Sequence, residues 1–373
     1  MKCKLSDICD FRKGKVEVEN LNTKNYISTE NMLPNKSGIT EATSLPNVSS
    51  TQEYKNGDVL VSNIRPYFKK IWQARYDGGC SNDVLVFVPK STTDRDFLYY
   101  LLAYDDFFTY SMATSKGTKM PRGDKTSIMQ YEVPMLDFCT QKKIASVLKS
   151  LDEKIELNNA INENLEHQSL ALFSNYYEQS NTEIDFTDLI QVLGGGTPKT
   201  RESTYWNGNI PFFTPKDVGF PYTLATEKTI TEDGLLHCNS RLYPVNTVFV
   251  TARGTVGKVG IAGVPMAMNQ SCYALIGKGI HQLLVYFYTL KAIDRLKHKA
   301  SGAVFDAIIT KDFETEQVFK LSPNDTDTFI RIVEPMYQSI LNNSIEKQRL
   351  IALRDSLLPK LMSGEIDISK LDI

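Results

Sequence analysis

Two stretches of the chain place apolar residues at helical spacing. From about Gln141 to Tyr177, Ile144, Leu148, Leu151, Ile155 and Asn158 recur at intervals of four and three, the spacing of a heptad seam. Ile161, Leu165 and Leu172 continue it after a phase slip. From about Asp325 to Met362, Phe329, Val333, Met336, Ile340 and Asn343 repeat the pattern, and Leu350, Leu353, Leu357 and Leu361 extend it. Pro335 and Pro359 lie inside the second pattern. Each removes a helix hydrogen bond, so kinks or fraying are expected there. Ser363-Gly364 is a natural stop. A helix of about 37 residues is about 55 Å long at 1.5 Å per residue. Elsewhere, short β-branched runs such as Asp83-Val-Leu-Val-Phe-Val-Pro89 and Thr247-Val-Phe-Val-Thr-Ala252 read as strands between Gly, Pro, Ser and Asn turns.

The chain also repeats itself. Tyr54-Lys-Asn-Gly-Asp-Val-Leu-Val61 parallels Tyr243-Pro-Val-Asn-Thr-Val-Phe-Val250, and Asn82 stands where Asn269 stands. Lys116-Gly117 parallels Ser301-Gly302, and Asn158-Asn159-Ala-Ile161 parallels Asn342-Asn343-Ser-Ile345. The order is kept and the offset stays at roughly 184–189 residues, which makes chance improbable. The organisation is therefore globule, long helix, globule, long helix. A heptad stripe alone also suits a helix packed on its own domain, but one per repeat favours mutual packing. The expected fold class is α/β, of the mixed α+β kind: two pseudo-two-fold-related globules separated by two long antiparallel, coiled-coil-like helices. Residues 1–140 and 179–324 are the globules, 141–178 and 325–364 the helices, and 365–373 a tail. Asn158 and Asn343 on the seams suit a register-setting role; solvated edge positions suit them equally.

The 373 residues are enough for two or three domains. Lys and Arg number 42 against 44 Asp and Glu, a formal charge of −2, so any nucleic-acid affinity must come from local patches. No run approaches the ~18–20 apolar residues that span a bilayer. The start, Met1-Lys2-Cys3-Lys4-Leu5-Ser6-Asp7, lacks the apolar run of a secretion signal. Six scattered cysteines without a Cys-x-x-Cys pair argue against zinc clusters and disulfide frameworks, and a reducing cytoplasm is the expected compartment. Four histidines leave little room for histidine-based metal catalysis.

Enzyme signatures fail one by one. Gly254-Thr-Val-Gly257-Lys258-Val259 resembles a phosphate loop, but its spacer is short and no Ser or Thr follows the Lys. Gly194-Gly195-Gly196 lacks the third spaced glycine of a dinucleotide fingerprint. Neither an Asn-Pro-Pro-aromatic loop nor a Gly-x-Ser-x-Gly elbow occurs. Most carboxylates lie on the helices, where a solvated face accounts for them. A non-catalytic chain is expected.

The positive charge is unevenly placed. Between Asp233 and Asp294 there is no acidic residue, but there are Arg241, Arg253, Lys258, Lys278 and Lys291. From Val59 to Tyr76 there is again no acid, with Arg65, Lys69, Lys70 and Arg75; Lys116, Lys119, Arg122 and Lys125 follow. Basic loops rich in Gly, Ser, Thr and Asn suit DNA, because Lys and Arg neutralise phosphates while Arg and Asn can read base edges. Arg253 is the foremost candidate, since it follows a buried-looking strand and precedes a glycine that would present it outward. Lys258, Asn269, Gln270, Thr214, Lys216, Lys199 and Ser301 join it in the second half. Arg65, Asn63, Lys69, Lys70, Asn82, Lys116, Lys119, Arg122, Thr29 and Asn31 are the candidates in the first. Bland readings compete: Arg65 suits a turn cap, Lys69-Lys70 edge-strand solubility, and Asn82 and Asn269 turn closure.

Leu193-Gly-Gly-Gly-Thr-Pro-Lys-Thr200, Tyr205-Trp-Asn-Gly-Asn-Ile-Pro-Phe-Phe-Thr-Pro-Lys-Asp217 and Thr251-Ala-Arg-Gly-Thr-Val-Gly257 resemble a target-recognition domain. Tyr26-Ile-Ser-Thr-Glu-Asn-Met32 stands in the first globule where Phe212-Phe-Thr-Pro-Lys-Asp-Val218 stands in the second. Gln141-Lys-Lys-Ile-Ala-Ser-Val-Leu-Lys-Ser-Leu-Asp152 and Glu346-Lys-Gln-Arg-Leu-Ile-Ala-Leu-Arg-Asp-Ser-Leu-Leu-Pro-Lys-Leu-Met-Ser-Gly364 resemble central and distal conserved helices. Over essentially its whole length the chain resembles the specificity subunit of type I restriction-modification enzymes. The resemblance implies two target-recognition domains, each reading half of a bipartite site in double-stranded DNA. It implies spacer helices that dock two methyltransferase subunits, with Ile144, Leu148, Leu151, Ile155, Asn158, Leu165, Ile340, Asn343, Leu350, Leu353 and Leu357 as the spacer positions. The cofactors, S-adenosylmethionine, ATP and Mg²⁺, are expected on the methyltransferase and restriction subunits, and none on this chain. The alternative is a two-headed DNA-binding or interaction protein uncoupled from any active methyltransferase.

Overall fold

The computed structural model describes residues 2–117, 119–219, 221–299 and 306–368. The chain forms two compact units, Met1–Ile155 with Arg349–Ile373, and Glu156–Gln348. Each therefore holds part of both long helices.

In the first unit, the main sheet is four-stranded and antiparallel, in the order Cys9–Phe11, Val84–Pro89, Val59–Ser62, Ile71–Gln73. Its two central strands are buried along most of their length, which is why they read as unbroken apolar runs instead of alternating ones. A second sheet runs Lys15–Glu17, Ser50–Tyr54, Gly78–Cys80, Tyr26–Ile27. Helix Arg95–Ala103 is capped by the Asp94 carboxylate, which accepts from the Asp96 and Phe97 amides. Its Phe97, Leu98 and Leu101 share a core with Val59, Val61, Leu85 and Phe87. Ile144 and Leu148 of the first long helix and Leu358 and Leu361 of the second complete that core.

In the second unit the main sheet is five-stranded, in the order Ile190–Gly194, Cys272–Gly277, Val248–Thr251, Val259–Ala262, Tyr222–Thr223. Its first four strands reproduce the order of the first unit, and helix Gln282–Lys299 follows where Arg95–Ala103 follows in the repeat. The duplication extends further forward than the sequence matches do. A ribbon of Lys2–Lys4 with Glu132–Pro134 recurs as Thr182–Asp185 with Gln317–Lys320. Each ribbon leads into a four-residue helix, Leu5–Ile8 or Phe186–Leu189.

The long helices run Phe138–Gln179 and Pro323–Ser363, 42 and 41 residues. At 1.5 Å per residue each is about 60 Å long. Their pairing is antiparallel. In the second unit, Phe173 meets Phe329 (centroids 5.4 Å apart), the Tyr337 hydroxyl donates to Glu166, and Asn343 donates to Asn162. In the first unit, Arg354 donates to Asp152 at 2.7 Å.

Some expectations need correction. The second helix does not fray at Pro335 or Pro359: it is continuous from Pro323 to Ser363. The carbonyls these prolines leave without a donor belong to the exposed Arg331 and Asp355, where water can serve them. Ile161 and Leu353, placed on the seams by spacing, are 39% and 46% exposed. Asn158, which the spacing places on the seam, is fully buried; Glu166 and Ser169, which it does not, are fully buried too, and Arg354 turns inward toward Asp152. Leu151, Leu165, Leu350, Leu357 and Asn343 are half-buried, while Ile155 and Ile340 lie inside. The helix ends at Gly364 with φ +76°, in the left-handed region that glycine tolerates. Among the described residues, no helix is long and apolar enough to cross a membrane.

Candidate nucleic-acid interface

In the second unit four loops meet at one end of the main sheet. Strands Ile190–Gly194, Trp206–Phe213 and Val248–Thr251 end there, and Val259–Ala262 and Cys272–Gly277 begin there. Backbone bonds lock the loops together. Asn269 N donates to Phe213 O at 3.0 Å, Gly196 N to Met268 O at 3.1 Å, and Arg253 N to Ser271 O at 3.3 Å. Thr255 Oγ1 donates to Pro215 O at 3.3 Å. A Cβ at Gly195 would lie 2.2 Å from the Asn269 carbonyl oxygen, so only glycine permits that approach.

Seven of the sequence candidates come together around this end. Arg253, Lys258 and Lys199 are exposed, and among the described residues none has a carboxylate partner. Arg253 sits between the fully buried Thr251 and Gly254, whose φ is +83°. The buried hydroxyl of Thr251 donates to Thr255 O and accepts from Lys258 N, so the hairpin is tied at its base. Lys216 is exposed, with Glu227 at 3.7 Å. Thr214 donates to Asp217 Oδ2 at 2.6 Å, and Asp217 also accepts from the Thr214 and Glu227 amides. That carboxylate is consumed in holding the loop. Asn269 uses its amide oxygen to close a turn onto Ser271 N, and Gln270 accepts from Thr197. Ser301 lies outside the described residues.

The first unit gathers the corresponding loops at the equivalent end of its sheet. Asn63 N donates to Asp83 O at 2.8 Å and Arg65 N to Pro121 O at 2.8 Å. Here most cations already have partners. Lys69 and Lys36 both donate to Asp105 at 2.7 Å. Burial pushes the Asp105 carboxyl up, but those two bonds outweigh it and hold it below its ordinary value. Arg122 sits 3.2 Å from Asp83, and Lys116 2.8 Å from Asp124. Bonds from Lys116 and Ser127 lower the Asp124 carboxyl to about 2. Lys70 donates to the Thr29 carbonyl at 2.6 Å, and burial lowers its pKa.

One first-unit candidate is corrected by this geometry. Asn31 is 5% exposed, donates to the Tyr26 and Thr40 carbonyls and accepts from Ser28 N, so it closes a loop from inside. Lys70, with Thr29, bridges two segments of the same unit. Asn82 and Lys119 are exposed. Arg65 and Asn63 are half-buried, and each keeps a buried side-chain atom, Nε or Oδ1, without a partner. Gly195 and Thr197 were not among the candidates; the triple glycine was the signal that could have found them.

This is a cationic, amide-lined surface at one end of a sheet, occurring twice. Residues 1–167 and 180–353 match the type I restriction modification DNA specificity domain, and the chain belongs to that family. Its function is DNA sequence recognition, and it is non-catalytic. It is similar to the HindI specificity subunit of a type I restriction enzyme from Haemophilus influenzae, at 24% identity over 91% of this chain and 94% of that one. It is 23% identical to the MjaIX specificity subunit of Methanocaldococcus jannaschii, over 76% of this chain and 72% of the relative. Among solved structures, the type I restriction-modification S subunit from M. genitalium shares the fold, with a TM-score of 0.62 and 17% identity over 97% and 96% of the two chains.

Proposed function

We propose that this chain supplies the DNA target of a type I restriction-modification complex, each unit reading one half of a two-part site. The observation that supports this is the duplication: one strand order, used twice, with basic residues in the loops at the same end of each sheet. Lys258, Lys199 and Lys119 then serve as phosphate contacts that position the DNA, while Arg253, Asn269 and Gln270 face base edges. Two weak readers on one chain bind as one, because the second contact becomes intramolecular. The long helices set the gap between half-sites and dock two methyltransferase subunits. Those partners carry S-adenosylmethionine and methylate adenine; restriction subunits, with ATP and Mg²⁺, join the full complex.

A segment exchange tests the reading. Residues 180–322 are replaced by the matching segment of another family member, and the methylated site is mapped. Change in one half of the site, with the other half and the gap kept, is expected. Change in both halves contradicts it.

A further inference from the structure

The connection between the two neighbouring strands Val59–Ser62 and Ile71–Gln73 corresponds to the one that carries Arg253 in the second unit. The two are built differently. In the second unit the left-handed positions are glycines, Gly254 at φ +83° and Gly257 at +74°. In the first they are cations, Arg65 at φ +51° and Lys69 at +51°. L-residues adopt that region at a cost, and such positions persist where the surroundings over-determine them, often at functional sites. Between them, Pro66-Tyr67-Phe68 form one 3₁₀ turn.

Pro66 is buried, whereas Tyr67 and Phe68 are 49% and 38% exposed, their rings 4.7 Å apart. The turn beneath them is rigidly held. Phe68 N donates to Arg65 O, Asn35 N to Phe68 O and Lys36 N to Lys69 O, all at 2.8–2.9 Å. Lys36 and Lys69 are both pinned on Asp105. The segment carrying Lys116, Lys119 and Arg122 abuts the same turn through the bond from Arg65 N to Pro121 O. Two large rings are thus presented outward on a fixed turn, bordered by cations, at the sheet end proposed to face DNA.

We propose that Tyr67 and Phe68 are a base-contacting aromatic pair, packing their rings against bases of the half-site read by the first unit. Every base offers a π-face to such rings, thymine adds an apolar methyl edge, and apolar side chains are used to wedge base steps. The second unit lacks an aromatic in the equivalent connection and presents Arg253 instead. The two halves of the site would then be read by different chemistry: rings in one, a guanidinium in the other. This rests on the DNA-reading function proposed above.

The test uses the full chain in complex with its methyltransferase subunits and a duplex carrying the mapped site. Thymines are replaced one at a time by 5-iodouracil, and photo-crosslinked peptides are identified by mass spectrometry. A crosslink from a first-half base to Tyr67 or Phe68 is expected. The Tyr67→Ala/Phe68→Ala variant should lose about 5- to 150-fold in affinity, with discrimination at the second half unchanged. Tyr67→Phe should bind as the wild type does. An unchanged thermal midpoint shows that the variant folds. Site-specific binding at wild-type affinity by the double variant overturns the proposal, as do first-half crosslinks that fall only on other loops. A wild-type complex with no sequence preference at all would overturn the DNA-reading function itself, and this inference with it.

Discussion

Replacing Asp152 by alanine should destabilise the first unit more than replacing its cationic partner does. Asp152 lies on the first long helix and accepts twice: from Arg354 Nη1 on the second long helix, and from the Tyr100 hydroxyl on helix Arg95–Ala103, each at 2.7 Å. Tyr100 is 4% exposed, and its hydroxyl has no other acceptor among the described residues. Burial, first, and then Asp152 hold its pKa well above the ordinary tyrosine value. Stripping the acceptor leaves a buried donor unsatisfied, at about 1–3 kcal/mol. Arg354 fares better, because it still donates to Asp355 on its own helix and is 23% exposed. Its loss adds about 0.5–1 kcal/mol. Asp152→Ala should therefore cost about 1.5–4 kcal/mol. Asp152→Asn, which keeps an acceptor for Tyr100, and Arg354→Ala should each cost about 1 kcal/mol. The chain has two tryptophans, one per unit: Trp72 and Trp206. In a Trp206→Phe background, urea unfolding followed by Trp72 fluorescence reads the first unit alone. If Arg354→Ala matched or exceeded Asp152→Ala, the buried tyrosine would not be the main source of the effect and the reasoning would fail.

Further consequences follow from the second unit. Glu166 is fully buried, and burial raises its carboxyl pKa although Tyr337 and Tyr286 donate to it at 2.5 and 2.9 Å. A raised folded pKa gives a contribution that is fully present below the unfolded value and lost as pH rises through the folded one. Glu166→Gln, which stays neutral, should therefore gain on the wild type as pH rises above 4.5, the ordinary glutamate value, in Trp206-monitored melting; a difference that does not move with pH refutes this. Arg253→Ala should weaken recognition of one half-site by about 1–3 kcal/mol if the guanidinium contacts a base, read as methylation efficiency on single-base variants of the site. Gly195→Ala would place a methyl group against the Asn269 carbonyl and should impair the same half-site, whereas Gly194→Ala, with open space around it, should not.

The long helices were legible because their apolar residues repeat at four and three, and the central strands because β-branched runs leave few alternatives. The middle of the helix pair was not. Asn162, Glu166 and Ser169 look like a solvated face until the second helix supplies Asn343, Tyr337 and Met336 as partners. Conversely, Ile161 and Leu353 fit the spacing but face outward. The duplication was visible from Tyr26 onward, yet the ribbons that open each repeat were not, because backbone pairing of Lys2–Lys4 with Glu132–Pro134 leaves little trace in side-chain type. At the candidate interface, the sequence located the basic loops but not their ion pairs. Lys69 with Asp105 and Arg122 with Asp83 are separated by 36 and 39 residues, and such contacts depend on the fold. The exposure of the Tyr67 and Phe68 rings has no signature in the sequence, since apolar residues beside a strand suit a core equally well.

The most direct test is to co-express the chain with its methyltransferase subunit in a methylation-free host and map modified adenines by single-molecule sequencing. The expected result is a two-part motif with a fixed gap that disappears when this chain is omitted. A stable complex that adds no methylation, or that modifies an uninterrupted one-part motif, would contradict two units reading two half-sites.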